Sequence, residues 1–130
     1  EAIESLPDVV AISPVYDTEP VGGPEAQDKY FNAVVELKTD LAAISLLKLC
    51  HNIEAFAGRI RKELNAPRTL DLDLLWIEGE NYDERDLTVP HPRMWERRFV
   101  LQPLSDLAPE LLPENWEENT VGDVWPAGEL

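Results

Sequence analysis

Cysteine and long apolar segments are both scarce in this chain of 130 residues. Cys50 is the sole cysteine, so an intrachain disulfide is excluded, and its apolar surroundings predict a small core residue. No apolar run reaches the roughly 18 residues of a transmembrane helix. No signal peptide is evident in the sequence. These absences lead us to expect a cytoplasmic protein.

Basic residues are also few. Eleven lysines and arginines stand against 26 aspartates and glutamates, giving a formal net charge of −15. This charge argues against binding nucleic acid or an anionic membrane surface. The arginines are grouped between Arg59 and Arg98. Such a group suits a phosphate chain, because guanidinium makes bidentate phosphate contacts, although arginines also decorate ordinary solvated faces.

Several catalytic signatures are absent. The sequence contains neither a phosphate-binding glycine loop nor a nucleophile elbow. His51 and His91 do not have the spacing of zinc ligands. His51 falls in a predicted helix, where a partly buried structural role is the simpler interpretation. His91 stands between Pro90 and Pro92 in a rigid segment and is suited to donate a hydrogen bond to a phosphate.

The segment from Thr69 to Ile77 has the pattern of a strand with two carboxylates on one face. Successive strand side chains point to opposite faces, so Asp71 and Asp73 would share a face. Adjacent carboxylates repel one another unless a cation lies between them, and Mg²⁺ often takes one or two carboxylates with water and phosphate oxygens. With Arg68 close by, the segment predicts a metal-phosphate site. A solvated strand face remains the alternative.

Apolar periodicity predicts a small set of further elements. Strands are predicted over Val9 to Thr18 and Tyr30 to Leu37, a long helix over Leu41 to Arg61, and a weak helix over Ser105 to Leu112. Between them, Glu78 to Asp86 is predicted as a polar turn and Thr88 to Arg93 as irregular chain, and residues 113–130 as an acidic surface tail. Together they predict one two-layer α+β domain over residues 1–130, with helices on one face of a mostly antiparallel sheet.

Tyr30 and Asn32 would lie on one face of the second predicted strand. An aromatic ring beside an amide can stack on a flat heterocycle and pair with its edge. A core tyrosine with a structural asparagine explains the pattern equally well. Phe99 is most simply a core residue.

Residues 67–75, PRTLDLDLL, closely resemble the signature of the 6-hydroxymethyl-7,8-dihydropterin pyrophosphokinases. The similarity extends through residues 16–32 and 87–104 and covers the chain to about Leu112. Members of this family transfer pyrophosphate from ATP to a hydroxymethyl pterin in folate biosynthesis. The resemblance implies a ferredoxin-like α+β fold, a monomer, and ATP and hydroxymethyl dihydropterin as the substrates.

The resemblance also assigns roles to individual residues. It implies that Asp71 and Asp73 hold two Mg²⁺ ions on the triphosphate and that Arg59 and Arg68 are catalytic. Positions matching ATP contacts are His51, Glu54, Arg61, Leu74, Thr88, His91 and Arg97. Positions matching the pterin pocket are Thr18, Val21, Tyr30, Asn32 and Phe99. The implied chemistry needs no covalent intermediate, and catalysis would come from positioning and charge stabilisation.

The chain departs from the family pattern in four places. It starts inside the family's first helix, so we expect the first strand to be missing. Residues 62–66 form a short loop without an expected Arg-Trp pair, His51 replaces a common glutamine, and Pro92 replaces an aromatic residue. Two alternatives therefore stay open: a pterin- or nucleotide-binding module with impaired catalysis, and an unrelated Asp-x-Asp metal phosphotransferase.

Overall fold

The computed structural model describes residues 6–18, 30–63, 70–120 and 124–128. Of these, 6–8 and 39–92 form one compact unit, called the first unit below, and the others form the second unit. The helices are α1 (Ala43–Glu63) and α2 (Arg98–Leu107), with short 3₁₀ helices at Met94–Glu96 and Pro109–Leu111. The strands are β1 (Val9–Ile12), β2 (Val15–Thr18), β3 (Tyr30–Asn32), β4 (Val35–Leu37), β5 (Tyr82–Glu84), β6 (Leu87–Val89) and β7 (Val124–Gly128).

Helix α1 supplies one side of the core of the first unit. Its apolar residues recur at steps of three and four, which places them along one face of the helix. Ala43 is buried with Leu87 and Val89 of strand β6, and Leu47 packs against this cluster. The helix was predicted two residues further towards the N-terminus at both ends, an offset that is usual for helix boundaries.

The other side of this core is a β-hairpin that the sequence patterns did not predict. Strands β5 and β6 pair antiparallel, with Tyr82 opposite Val89 and Glu84 opposite Leu87. Leu87 and Val89 are buried while Thr88 is exposed, as expected for a strand with one face on a core. Three residues are too few to show a clear period, and the neighbouring prolines led to the prediction of irregular chain.

The second unit contains two antiparallel sheets, with strand orders β1-β4 and β3-β2-β7. The predicted strands over 9–18 and 30–37 are each divided into two strands. Ser13 is the reason for the division, because it is buried and both donates its N–H to the Val34 carbonyl (2.9 Å) and accepts from the Val34 N–H at its hydroxyl (2.8 Å). Pro14 follows and has no N–H to continue a ladder.

Helix α2 corrects the weak helix predicted over Ser105 to Leu112. It begins seven residues earlier, at Arg98, and contains Pro103. A proline inside a helix removes one backbone hydrogen bond and usually predicts a helix end. Here Leu101, Pro103 and Leu104 are buried, so tertiary packing outweighs that cost. The predicted acidic tail likewise contains a strand, β7, which pairs antiparallel with β2.

These elements confirm an α+β fold with antiparallel strand pairing. The single-domain assignment remains a prediction. Among the described residues, no helix is long and apolar enough to span a membrane.

Candidate ligand-binding site

The segment that carries Asp71 and Asp73 is not a strand of a sheet in its described part, residues 70–76, which corrects the prediction. Exposure nevertheless alternates as predicted: both aspartates are exposed, and Leu70, Leu72 and Leu74 are half-buried. Two of its backbone groups form hydrogen bonds with partners outside any strand. The Leu72 N–H donates to Glu54 Oε2 at 2.6 Å, and the Leu75 carbonyl accepts from the His91 N–H at 2.7 Å.

A cavity of about 320 Å³ lies in the first unit between α1, this segment and the β5–β6 hairpin. That volume is near the lower end for small-molecule sites. The cavity brings together Asp73 and most of the residues predicted to contact ATP, although these are spread over forty positions of the sequence. Its lining residues are Leu47, His51, Glu54, Leu72, Asp73, Leu74, Arg85, Asp86, Leu87, Thr88, His91 and Pro92.

Negative charge gathers on the α1 side of this cavity. Burial raises the pKa of the Cys50 thiol above its usual value, and the charges of Glu54 and Asp73 raise it further. The Asp73 carboxylate therefore lies close enough to α1 for its charge to act on Cys50 of that helix. On the opposite wall, the Thr88 hydroxyl lies 3.4 Å from the Glu84 carbonyl, at the long limit of a hydrogen bond.

Asp71 and Asp73 are the carboxylates to which the sequence assigned a metal ion. Within residues 6–18, 30–63, 70–120 and 124–128, no three histidine, cysteine or acidic side chains converge as a metal cluster. Asp73 lines the cavity and Asp71 does not. Two exposed carboxylates separated by one residue fit Mg²⁺, which commonly takes one or two carboxylates and completes its shell with water and phosphate. A metal held entirely by protein ligands is not what the described part of the chain offers.

The predicted arginines lie in different settings. Arg59 is exposed on α1, with its guanidinium 5.1 Å from the ring centroid of Phe56, a cation–π distance. Arg61 is in the same helix, and Arg68 lies outside the described residues. Arg97 belongs to the second unit and lies over the ring of Phe99, 5.4 Å from its centroid.

The residues predicted to bind a pterin lie in the second unit. Thr18 on β2 is in register with Tyr30 on β3, and Asn32 is in register with Tyr16. Asn32 and Phe99 are half-buried, and Phe99 lies in the first turn of α2. Helix α2 packs against β2, β3 and β7, so these elements form one layered group. Val21 lies outside the described residues.

Two sets of polar residues were missed by the sequence patterns. Arg85 and Asp86 line the cavity from the hairpin turn, and recognising that turn would have found them beside Thr88. Tyr16 and Asp106 form a hydrogen bond across ninety positions of the chain. Neither residue carries a local motif that would have indicated this pairing.

The fold and the cavity describe an α+β protein with a cavity of small-molecule size, lined by both polar and apolar residues. Comparison with known families goes further, since the model of the 7,8-dihydro-6-hydroxymethylpterin-pyrophosphokinase family matches residues 1–109. The chain belongs to this family, and the resemblance noted in its sequence is confirmed.

Similar proteins carry names that agree with this family. The 2-amino-4-hydroxy-6-hydroxymethyldihydropteridine pyrophosphokinase of Bacillus subtilis is 44% identical over 106 residues, which cover 82% of this chain and 63% of that protein. The protein of the same name from Pseudomonas aeruginosa is 45% identical over 117 residues, covering 88% of this chain and 72% of its own length. The folic acid synthesis protein fol1 of Schizosaccharomyces pombe is 40% identical over 104 residues, 80% of this chain and 14% of that protein. The chain thus spans less than two thirds of the Bacillus subtilis protein.

Proposed function

We propose that this chain transfers pyrophosphate from ATP to the hydroxymethyl group of 6-hydroxymethyl-7,8-dihydropterin, giving AMP, in folate biosynthesis. The observation that carries the proposal is the cavity of the first unit. The chain belongs to the family, and its cavity brings Asp73 together with His51, Glu54, Thr88 and His91. Five of the seven positions that were predicted to contact ATP line it, the fifth being Leu74.

The cavity is proposed to hold the nucleotide. Leu47, Leu72, Leu74 and Leu87 give its wall an apolar character that suits the flat face of a base. Glu54 offers an acceptor and His91 an imidazole donor to the polar edge of the base or to a phosphate. Glu54 already accepts from the Leu72 N–H, so its second carboxylate oxygen is the one suited to a ligand.

The phosphate chain is proposed to lie beside Asp71 and Asp73. These carboxylates would hold Mg²⁺ ions, two in number, which neutralise phosphate charge and orient the β-phosphorus for attack. Arg59 and Arg68, supported by Arg61 and Arg97, would stabilise the charge that develops on the transferred group. Positioned charge is sufficient for this reaction class, because phosphoryl transfer requires no covalent enzyme intermediate.

The acceptor is proposed to bind to the second unit. Tyr30 and Phe99 would sandwich the pterin ring, Asn32 would pair with its edge, and Thr18 and Val21 would complete the pocket. The hydroxymethyl oxygen would form a bond to the β-phosphorus of ATP and lose its proton to water, while the bond from that phosphorus to the oxygen that it shares with the α-phosphorus breaks and AMP leaves with that oxygen. A ferredoxin-like arrangement of the chain, a monomeric state and a cytoplasmic location belong to the same proposal.

The test measures AMP formed by the purified chain with ATP, Mg²⁺ and the pterin. We expect AMP only when all three are present. Asp71→Asn and Asp73→Asn should each lower the rate by roughly a hundredfold or more, the loss typical of removing a charge-stabilising group. Asp83→Asn removes an exposed carboxylate of β5 and is the matched control, for which we expect an unchanged rate.

Two results would contradict the proposal. One is the absence of AMP under these conditions; calorimetry showing tight pterin or ATP binding without turnover would then identify a binding module. The other is an equal rate for Asp73→Asn and Asp83→Asn, which would exclude Asp73 as a metal ligand.

A further inference from the structure

Tyr16 is a buried tyrosine whose hydroxyl donates a hydrogen bond to an aspartate. Only 7% of its surface is exposed, and the hydroxyl lies 2.5 Å from Asp106 Oδ2. Burial raises the pKa of Tyr16 above its usual value, the hydrogen bond to Asp106 and that residue's charge raise it further, and a weaker hydrogen bond with Gln102 acts in the opposite direction. The hydroxyl therefore stays protonated and keeps donating. A hydrogen bond to a charged acceptor is roughly twice as strong as one between neutral groups.

This bond joins two elements that carry predicted acceptor-binding residues. Tyr16 lies on β2, directly opposite Asn32 of β3 in the antiparallel register. Asp106 lies on α2, seven positions after Phe99, which is two helical turns. Residues at that spacing share a helix face, so Phe99 and Asp106 lie along one stripe of α2.

Side-chain contacts contribute to the position of α2 together with its buried residues. Pro103 has no N–H to donate to the carbonyl of Phe99, so the helix lacks one of its own hydrogen bonds next to that residue. The Tyr16 bond holds the turn that follows Pro103. It therefore constrains the rotation of α2 relative to β2, the strand that pairs with β3.

From this arrangement we propose that Tyr16 and Asp106 are positioning residues for the pterin, setting the distance between Phe99 on α2 and Asn32 on β3. The proposal rests on the proposed function, since it concerns the acceptor of that reaction. Neither residue is assigned to touch the substrate. The hydrogen bond acts through Phe99 and Asn32, and the nucleotide cavity of the first unit has no part in it.

The kinetic test compares the two substrates. Tyr16→Phe keeps the ring and removes the hydroxyl, and we expect roughly a tenfold higher KM for the pterin, the factor that corresponds to a charge-assisted hydrogen bond. The KM for ATP should stay within twofold of the unmodified chain. Asp106→Ala should raise the pterin KM no further than Tyr16→Phe, which also removes the hydrogen bond between the hydroxyl and Gln102. Asp106→Asn retains a neutral acceptor and should raise the pterin KM less than Asp106→Ala. The double variant should be no worse than Tyr16→Phe alone.

Tyr82→Phe is the matched control. Tyr82 also donates its hydroxyl to a carboxylate, that of Glu80, but in the β5–β6 hairpin of the first unit. We expect no change in either KM. If Tyr16→Phe raised both KM values equally, or left the pterin KM unchanged, the positioning role would be lost.

A second measurement is independent of activity. The side-chain amide resonances of Asn32 and the ring resonances of Phe99 should shift together in Tyr16→Phe and in Asp106→Ala, and not in Tyr82→Phe. Unshifted resonances would overturn the inference even in an active chain. Absence of AMP from the unmodified chain would instead count against the proposed function, and the resonances would still decide whether Tyr16 positions these two side chains.

Discussion

The Glu54 carboxylate on α1 accepts a hydrogen bond, 2.6 Å long, from the backbone N–H of Leu72. Leu72 is the residue between Asp71 and Asp73. The Glu54 side chain thereby accepts the kind of backbone hydrogen bond that a neighbouring strand would accept in a sheet. This hydrogen bond holds the backbone between Asp71 and Asp73, the two proposed metal ligands, next to α1. We therefore expect Glu54 to influence metal binding as well as stability.

Replacing Glu54 by alanine tests the stabilising part of this contact. Glu54→Ala leaves a half-buried backbone donor without its acceptor, which costs about 1–3 kcal/mol. Glu54→Gln keeps a carbonyl oxygen at the same reach and should cost clearly less. Urea unfolding followed by circular dichroism gives both free energies of unfolding. Glu63→Ala changes an exposed glutamate of the same helix and should be nearly neutral. Equal losses for Glu54→Ala and Glu54→Gln would exclude the Leu72 hydrogen bond as the cause.

The sequence predicted the parts of this site that depend on local pattern. The long helix, the alternating exposure around Asp71 and Asp73, and the α+β class all follow from the period of apolar residues. The strand pairing expected for residues 70–76 cannot be predicted from this period, because it is set by partners that are distant in the sequence. Glu54 was expected only to contact ATP, and its bond to Leu72 has no local signal.

The hairpin and the pairing of β7 show the same limit. Leu87 and Val89 alternate with Thr88 over three residues, which is too short for a periodicity argument. Trp125 pairs with Asp17 across more than a hundred positions, and neither residue predicts the other. Helix α2 continues through Pro103 because buried neighbours compensate for the missing N–H, and the local pattern does not show that burial.

Leu101 is predicted to be a principal core residue of the second unit. It is fully buried in α2, as is Met94 in the preceding 3₁₀ helix. Leu101→Ala should lower the free energy of unfolding by about 2–5 kcal/mol, from lost burial and the cavity left behind. The neighbouring Val100 is half-buried, and Val100→Ala should cost less. Thermal and urea unfolding measure both free energies of unfolding. An equal destabilisation by Val100→Ala and Leu101→Ala would contradict the deeper burial of Leu101.

Arg98 is predicted to fasten the segment before β7 to the start of α2. Its Nε donates to Thr120 Oγ1 at 3.2 Å, and its Nη2 donates to the carbonyls of Thr120 (3.0 Å) and Glu117. Arg98→Ala should cost about 1–3 kcal/mol, since these acceptors lose a charged donor. Arg98→Lys should restore little of this, because an ammonium cannot reproduce the fork of a guanidinium.

Amide hydrogen exchange locates the effect of Arg98. In Arg98→Ala, the β7 amides should lose protection against exchange, whereas the α1 amides should keep theirs. Arg93→Ala is the control, because the Arg93–Glu96 ion pair is 4.0 Å long with both side chains largely exposed, and such pairs contribute at most about 1 kcal/mol. Unchanged exchange in β7 would show that its pairing with β2 is sufficient without Arg98.

Cys50 should ionise at higher pH than an ordinary thiol. Burial and the charges of Glu54 and Asp73 raise its pKa above the usual 9.0. At neutral pH, a smaller fraction of Cys50 than of an ordinary cysteine is therefore the reactive thiolate. The rate of alkylation by iodoacetamide, measured against pH in metal-free buffer, should have its midpoint above that of the urea-unfolded chain. Asp73→Asn and Glu54→Gln each remove one negative charge and should move the midpoint down, whereas Asp83→Asn should not.

The midpoint separates ionisation from accessibility, because shielding of the half-buried thiol slows alkylation at every pH without moving the midpoint. A midpoint unaffected by Asp73→Asn would show that this carboxylate does not face α1, and would remove it from the cavity wall on which the proposed metal site depends.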